Sequence, residues 1–291
     1  MKQIINGLGL TLLTLSLLIS CGREKTSQND GSSEVKYISI KGSDTMVHLA
    51  ANWAETYMDK HKDVDISVTG GGSGTGIAAL LNGTTDICIA SRKIKSTEEK
   101  LAVKKGLSAK AIVTARDGIA IVVNPKNPII ELSIDQLGEI YTGAYTSWKD
   151  VGGPDEPIVI LSRESSSGTY VFFQKRVMKK KDYTQEALLM PSTAAIIQSV
   201  VQDTWAIGYV GLGYATKASD KVKMLGVKDG PDSPAIGASV ETVQNATYSI
   251  ARPLHFYTNG DPTSATKDFI DFVLSKEGQA IVLEAGYVPV N

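Results

Sequence analysis

Residues 157–173 read PIVILSRESSSGTYVFF. The run up to residue 162 is apolar and of β type, and Tyr170, Phe173 and Val177 follow at helical spacing, which predicts a strand, a short loop and a helix. The loop contains an arginine, three consecutive serines, a glycine and a threonine. The first N–H groups of a helix have no hydrogen-bond partner within the helix and can bind an anion. The arginine and the hydroxyls of the loop would add further donors to the same anion. Alternatively, one serine caps the helix and the others lie in a solvated loop.

Two other places in the chain show the same change from a β-type run to polar and glycine residues. They are IKGSDTM at 40–46 and TGGGSGTGI at 69–77, the second followed by a helix expected to start near Gly76. In open α/β sheets ligands bind at the carboxyl ends of strands, so the three loops could converge on one small anion. Taken singly, GSDT suits a helix N-cap and the glycines suit a turn.

Strand and helix patterns alternate along almost the whole chain. Strands are predicted at 37–40, 64–69, 86–90, 111–115, 118–124, 157–162 and 253–258. Helices are predicted at 45–60, 97–105, 133–141, 169–180, 193–203 and 264–285. This alternation is typical of an α/β architecture.

The N-terminus has the layout of a secretory signal: Lys2 is followed by an apolar run that is too short to span a bilayer as an ordinary transmembrane helix. LISC at 18–21 resembles a bacterial lipoprotein signal, in which the cysteine is lipidated; the alternative is a plain signal peptide with a chance cysteine. We expect residues 1–20 to be a lipoprotein signal peptide and Cys21 to anchor the protein outside the cytoplasm, at the outer face of the cytoplasmic membrane or in the periplasm. Residues 21–34 are small and polar, typical of a flexible tether.

Charge and motif content argue against several classes of protein. The chain has 30 basic and 31 acidic side chains, whereas a nucleic-acid partner usually requires a basic patch. GGGSGTGI does not fit GxGxxG and the chain contains no GK pair, so nucleotide binding is disfavoured. The three histidines and Cys88 lack metal-ligand spacing. We therefore expect no metal and no cofactor, and we expect Cys88 to be a small core residue.

Five segments together carry a resemblance to a known family: GSDTM, GGGSGTGI, DICIASR, SRESSSGTYVFF and AIGYVGLGY. In this order they are similar to phosphate-binding proteins of bacterial phosphate ABC transporters, over residues 36–291. The resemblance implies a two-lobed, type II-like periplasmic-binding-protein fold, with the ligand cleft between lobes joined by two crossing strands. It implies that residues 35–115 and 251–291 form lobe one and that residues 116–250 form lobe two.

The resemblance also implies a set of ligand positions. The implied phosphate ligands are Thr45, the Met46 N–H, Ser73, Arg163, Ser167, Gly168 and Thr169. Ser43, Asp44, Ser91 and Arg92, from the first loop and the DICIASR segment, are further candidates. Arginine can pair with an oxyanion through two N–H groups, and the hydroxyls and helix N-termini supply further donors.

One position departs from the pattern of many relatives, which place an aspartate after the "AS" of DICIASR to accept the proton of hydrogen phosphate. Here that position is Arg92. A second cation favours any oxyanion but removes the acceptor that distinguishes phosphate from sulfate. Asp44 could take over as acceptor, or it could cap its helix. Arg92 could instead form a salt bridge with Glu98.

The resemblance implies a lipid-anchored, monomeric solute-binding protein that captures inorganic phosphate and delivers it to an ABC permease without covalent chemistry. One alternative keeps the fold and exchanges phosphate for sulfate, molybdate or tungstate. A phosphoester hydrolase would need an activated nucleophile, and the sequence shows no histidine or metal cluster beside these serines. An adhesin or signalling protein that uses the fold as a scaffold is a further alternative.

Overall fold

The computed structural model describes residues 35–262 and 264–290. The predicted signal peptide, the lipidation site Cys21 and the tether lie outside the described residues. The strands are β1 Lys36–Gly42, β2 Val64–Thr69, β3 Ile87–Ala90, β4 Ala109–Val123, β5 Glu131–Ser133, β6 Val159–Arg163, β7 Leu188–Met190, β8 Ala206–Gly211, β9 Lys223–Met224, β10 Gly226–Lys228 and β11 Ala251–Asn259. The α-helices are α1 Val47–Lys60, α2 Ser73–Leu81, α3 Ser96–Lys104, α4 Ile134–Thr142, α5 Gly168–Arg176, α6 Thr193–Gln202, α7 Leu212–Lys217, α8 Val240–Gln244, α9 Ser264–Leu274 and α10 Lys276–Glu284.

Most described strands belong to one mixed sheet. Its order is β2-β1-β3-β11-β4-β8-β6-β7, and β9 also pairs with β4. β1 runs parallel to β2 and β3, and β6 runs parallel to β7 and β8. A parallel neighbour requires a crossover, which the helices between these strands provide. The predicted α/β class is confirmed.

β4 crosses the middle of this sheet and changes its partner on the way. Its first part, Ala109 to Gly118, pairs with β11 with one shift of register at Thr114, and Ile119 to Val123 pair with β8. The sequence predicted two separate strands here, at 111–115 and 118–124, and that prediction is wrong. The strand continues through the polar interruption because Asp117 is fully buried beside Arg252 of β11, with which it forms an ion pair.

The apolar side chains form two main cores. One core consists of residues between Ile119 and Ile250, joined by Val288, and it contains Trp148 and Tyr209. The other combines residues 38–115 with residues 254–287. A smaller cluster contains Cys88, which is fully buried, so the prediction that it packs as a small core residue is confirmed. Burial raises the pKa of the Cys88 thiol to about 12.

Two predicted helices differ from the structure. α2 begins at Ser73, three residues before the predicted start near Gly76, because the glycines after position 73 continue the helix. The predicted helix 264–285 is two helices divided at Ser275. The Ser275 hydroxyl donates to the Phe272 carbonyl at 2.7 Å and accepts the Gly278 N–H at 3.2 Å, so it ends one helix and caps the next.

None of the helices described between residues 35 and 290 is long and apolar enough to cross a bilayer. Within the same ranges, no group of three or more His, Cys, Asp or Glu side chains is arranged to hold a metal ion.

Candidate functional site

Three buried serines meet at the carboxyl ends of β1 and β3 and the start of α2. Ser43 donates to the Ser91 hydroxyl at 2.9 Å, and the Ser91 and Ser73 hydroxyls lie 3.3 Å apart. The Ser91 N–H donates to Ser73 Oγ at 3.0 Å. These contacts arise because β1 and β3 are parallel neighbours, so the loops that follow them leave the same edge of the sheet.

The loop after β6 completes this group from a distant part of the chain. Thr45 and Thr169 are both buried, and their hydroxyl oxygens lie 2.9 Å apart. The Gly74 N–H donates to the Ser166 carbonyl at 2.9 Å. The structure therefore brings the three predicted junctions together. We call the side chains of Ser43, Thr45, Ser73, Ser91 and Thr169 the hydroxyl cluster.

Gly168 allows this close approach. A Cβ atom at this position would lie 2.2 Å from Ser73 Oγ and 2.6 Å from Ser91 Oγ, much closer than van der Waals contact. Its neighbour Ser167 is the N-cap of α5, since its hydroxyl accepts the N–H groups of Thr169 and Tyr170 at 3.2 and 3.4 Å. Capping uses only the oxygen lone pairs, so the Ser167 hydroxyl retains a proton to donate. The capping interpretation and a binding role are therefore compatible.

The predicted ligand Arg163 donates mainly to protein groups. Its guanidinium is buried and donates to the carbonyls of Met190 and Pro191 at 3.2 and 3.0 Å. Nη1 also donates to Thr193 Oγ1 at 3.0 Å and to Asp44 Oδ2 at 3.1 Å. Arg163 thus connects the end of β6 with β7, α6 and the loop after β1.

Asp44 accepts donors from outside its own helix. Oδ2 accepts the Thr193 N–H at 2.7 Å as well as the Arg163 guanidinium. The N-cap position before residues 44–46 is Ser43, without a side-chain cap, so the interpretation of Asp44 as an N-cap is wrong. Oδ1 accepts no hydrogen bond from a described residue. The Met46 N–H donates to the Ser43 carbonyl at 2.9 Å, so the turn already uses this predicted donor.

Arg92 forms a bidentate ion pair with Glu98. Its Nη1 and Nη2 atoms donate to the two carboxylate oxygens at 2.8 and 2.7 Å. Burial acts to raise the pKa of Glu98, but hydrogen bonds from Arg92 and from the Lys95 N–H hold it below its usual value. The salt-bridge interpretation of Arg92 is therefore confirmed.

A buried ion pair that sequence reasoning missed supports the hydroxyl cluster. Arg252 donates from Nε and Nη2 to Asp117 Oδ2 at 3.2 and 2.9 Å, and the Leu212 N–H donates to Oδ1 at 3.0 Å. The guanidinium also donates to the Ser91 carbonyl at 2.9 Å and to Thr169 Oγ1 at 3.0 Å. Burial raises the pKa of Asp117 and lowers that of Arg252, and their attraction opposes both changes.

Two tyrosines complete the surroundings of the first loop. The Tyr287 hydroxyl donates to the Thr45 carbonyl at 2.6 Å, and the Tyr214 hydroxyl donates to the Asp44 carbonyl at 3.1 Å. Burial raises the pKa of both phenols. Hydroxyls from several loops and the Arg252 guanidinium therefore meet at one buried place, and Arg163 is connected to the first of these loops through Asp44. Such a set can donate many hydrogen bonds to a small anion.

Comparison with known proteins places the chain in a family. The model of the PBP superfamily domain matches residues 27–277. The phosphate-binding protein PstS of Staphylococcus epidermidis is 36% identical over 287 residues, covering 96% of this chain and 87% of that protein. The chain belongs to the PBP superfamily and to its PstS phosphate-binding protein family.

Solved structures agree with this PstS family assignment. A Clostridium perfringens protein described as a putative phosphate ABC transporter substrate-binding protein, with bound phosphate, has a TM-score of 0.79 and 32% identity, over 88% of this chain and 100% of that one. An ABC-type phosphate transport receptor from Vibrio cholerae has a TM-score of 0.69 and 31% identity, over 86% and 99%. The predicted periplasmic-binding-protein fold is confirmed.

Proposed function

We propose that this PstS family member captures inorganic phosphate outside the cytoplasm and delivers it to the membrane permease of an ABC transporter. The observation that carries the proposal is the hydroxyl cluster, in which Thr45 and Thr169 lie 2.9 Å apart although 124 residues separate them. The names of the relatives support phosphate as the ligand. Phosphate has four oxygens, and it suits a site that offers many donors from several directions.

The proposed phosphate ligands come from three loops. They are the hydroxyls of Thr45, Ser73, Ser167 and Thr169, the Gly168 N–H, Arg163, and the Met46 N–H, which phosphate would take over from the Ser43 carbonyl. Ser43 and, from the loop after β3, Ser91 are additional donors. Arg163 and Arg252 offer guanidinium N–H donors, and their ion pairs with Asp44 and Asp117 hold both guanidinium groups in place. Arg92 donates to Glu98 and to the Lys93 carbonyl and not to the hydroxyl cluster, so we assign it a structural role.

Capture follows from closure of two lobes about the crossing strands β4 and β11. We infer lobe one to be residues 35–115 and 251–291, and lobe two to be residues 116–250. The two cores support this division, because one contains residues 119–250 and the other combines residues from both sides of that range. A ligand that contacts both lobes binds the closed state more tightly and shifts the equilibrium toward it. No bond is made or broken.

Retention at the membrane is the remaining part of the proposal. Lipidation of Cys21 after removal of residues 1–20 would tether a monomeric binding protein close to its permease. The polar residues 21–34 suit a tether of this kind. Mass spectrometry of the mature N-terminus tests the modification, and a peptide that begins at an unmodified residue 21 would contradict it.

Isothermal titration of the purified protein with phosphate, arsenate, sulfate and molybdate tests the ligand. We expect phosphate to bind with one site per chain and more tightly than sulfate. The Thr169→Val variant should weaken binding at least tenfold, because it removes a central donor while keeping the side-chain shape. Ser165→Ala removes an exposed hydroxyl from the same loop and serves as the control. Tighter binding of sulfate or molybdate than of phosphate would overturn the assignment.

A further inference from the structure

A second concave region adjoins the hydroxyl cluster but is separate from it. This groove has a volume of about 730 Å³ and is lined by residues 92–96, by α5 and by β11. Small-molecule sites usually have volumes of roughly 300–1,000 Å³. The groove could therefore hold a molecule considerably larger than inorganic phosphate.

The rim of the groove is cationic. Lys93, Lys95, Lys175 and Arg176 are exposed and line it, and none forms an ion pair with another described residue. The two other arginines in the lining are each paired with a carboxylate, as described above. No aspartate or glutamate lines the groove. These four cations, which have no carboxylate partner among the described residues, therefore favour an anionic ligand.

The floor of the groove combines partly buried apolar side chains with buried polar ones, among them Arg92 and Arg252. Ile94, Val171, Phe172 and Pro253 line it together with His255. His255 is only 4% exposed, and neither of its ring nitrogens has a hydrogen-bond partner within the described residues. The buried Nε of Arg92 also lacks a partner. Since buried polar groups normally form hydrogen bonds, the floor offers unused polar atoms beside an apolar surface.

We propose that this groove is a second binding site, for an amphipathic organic anion. The apolar or aromatic part of the ligand packs against Phe172 and Pro253, its anionic group lies at the rim near Lys93 and Lys175, and a polar group reaches the imidazole of His255. Inorganic phosphate has no apolar part, so it does not fit this description. The site includes no side chain of the hydroxyl cluster, although Arg252 borders both and the lining comes from both inferred lobes.

Titration calorimetry of the full chain with three probes tests the chemical class. 1-Naphthalenesulfonate combines an aromatic body with an anion, 1-naphthalenemethanol has the body alone, and methanesulfonate has the anion alone. We expect the first to bind at least about tenfold more tightly than either of the others, because only it uses both the floor and the rim. Equal affinity for the sulfonate and the alcohol would overturn the proposal.

Paired lysine variants test the location. Lys93→Gln with Lys175→Gln should weaken naphthalenesulfonate binding about three- to tenfold, as expected for two partly exposed charges. Lys100→Gln with Lys104→Gln removes the same charge from exposed positions of α3 that do not line the groove, and should leave binding unchanged. Equal losses in the two double variants would indicate general electrostatic attraction and contradict the site.

Two further measurements distinguish the groove from the hydroxyl cluster. Excess phosphate should not displace naphthalenesulfonate; competitive displacement would place the probe in the cluster and overturn the proposal. In NMR spectra the imidazole resonances of His255 should shift when the probe is added, whereas those of His61, which stacks on Tyr57, should not. An unchanged His255 signal at saturating probe would contradict the assignment of the floor.

Discussion

Arg163 and Asp44 form a hydrogen-bonded ion pair across 119 residues of sequence, with Nη1 and Oδ2 3.1 Å apart. The same carboxylate oxygen accepts the Thr193 N–H at the start of α6. One acidic side chain therefore connects the loop after β1 with two elements that we assign to the opposite lobe. Its other oxygen, Oδ1, accepts no hydrogen bond from a described residue and can accept the proton of hydrogen phosphate.

The first prediction concerns Asp44→Asn. The amide keeps the shape of the side chain but loses its negative charge, so the contact with Arg163 weakens. The atom at the Oδ1 position is then a neutral amide oxygen or an NH2 group, and it accepts a hydrogen bond from hydrogen phosphate less well or not at all. We expect about a tenfold loss of phosphate affinity in titration calorimetry and a smaller loss for sulfate, which carries no proton. Asp65→Asn, at an exposed position of β2, is the control. Unchanged titrations with both anions would remove this role for Asp44.

The second prediction concerns Gly168→Ala. The added Cβ would lie 2.2 Å from Ser73 Oγ, so the loop before α5 cannot approach the other two loops as closely. We expect phosphate affinity to fall at least tenfold while the thermal unfolding temperature changes little, because open lobes remain accessible to the variant. In Gly237→Ala the added Cβ meets no atom within 4 Å, and this variant should bind normally. Normal binding by Gly168→Ala would show that the close approach is unnecessary.

The third prediction concerns the buried Asp117–Arg252 pair. Asp117→Ala leaves the fully buried Arg252 guanidinium without its carboxylate, which typically costs about 3–5 kcal/mol. We expect urea denaturation to show a loss of free energy of unfolding of this size. Asp155→Ala removes the carboxylate of the exposed pair with Lys149 and should cost less than about 1 kcal/mol. Similar losses for the two variants would contradict the structural importance of the buried pair.

The fourth prediction concerns stability against pH. Burial, with a smaller contribution from Lys93, lowers the pKa of His255 to about 4, from an ordinary value of 6.5. The unfolded chain therefore binds a proton at this residue between pH 6.5 and about 4 while the folded chain does not. Stability should fall as the pH decreases through this range. At pH 5 we expect His255 to account for about 1–2 kcal/mol, below the full value of the shift because this pH is still above the folded pKa of about 4.

The His255→Gln variant isolates this contribution from those of other titrating groups. Urea denaturation of the wild-type protein and the variant at pH 7.5 and pH 5 gives two pH-dependent losses of free energy of unfolding. The loss should be smaller in the variant, since glutamine does not titrate. Equal losses would show that His255 titrates alike in the folded and unfolded states.

The sequence predicted the class of fold and the three loops, because apolar periodicity and glycine–serine junctions are local signals. The family resemblance implied that Thr45, Ser73 and Thr169 share one site, and the structure brings them together. The sequence did not indicate Arg252 or Asp117, since each is a single charged residue in a β-type run and their pairing depends on the register of β4 against β11. Arg163 is a similar case. It was expected in the site as a ligand, but its ion pair with Asp44 depends on tertiary packing that the sequence does not show.

Boundaries of helices were less predictable for a related reason. The apolar pattern of residues 264–285 continues across Ser275, whose hydroxyl bonds divide the segment into α9 and α10. The glycines before α2 adopt the turn that the sequence suggested, with φ of 121° at Gly71 and 107° at Gly72, whereas Gly74 and Gly76 continue into the helix. At Ser275 two hydrogen bonds outweigh the local apolar pattern.

The arrangement of the two cores also constrains the order of events during biosynthesis. The core between Ile119 and Ile250 is almost continuous in sequence, so nearly all of its side chains are present once the chain has reached residue 250. The other core needs β11, α9 and α10 beside elements made much earlier. In a nascent chain the apolar faces of β1, β3 and α1 therefore stay incompletely covered until residues 254–287 emerge, and in this interval a chaperone or a protease has access to them.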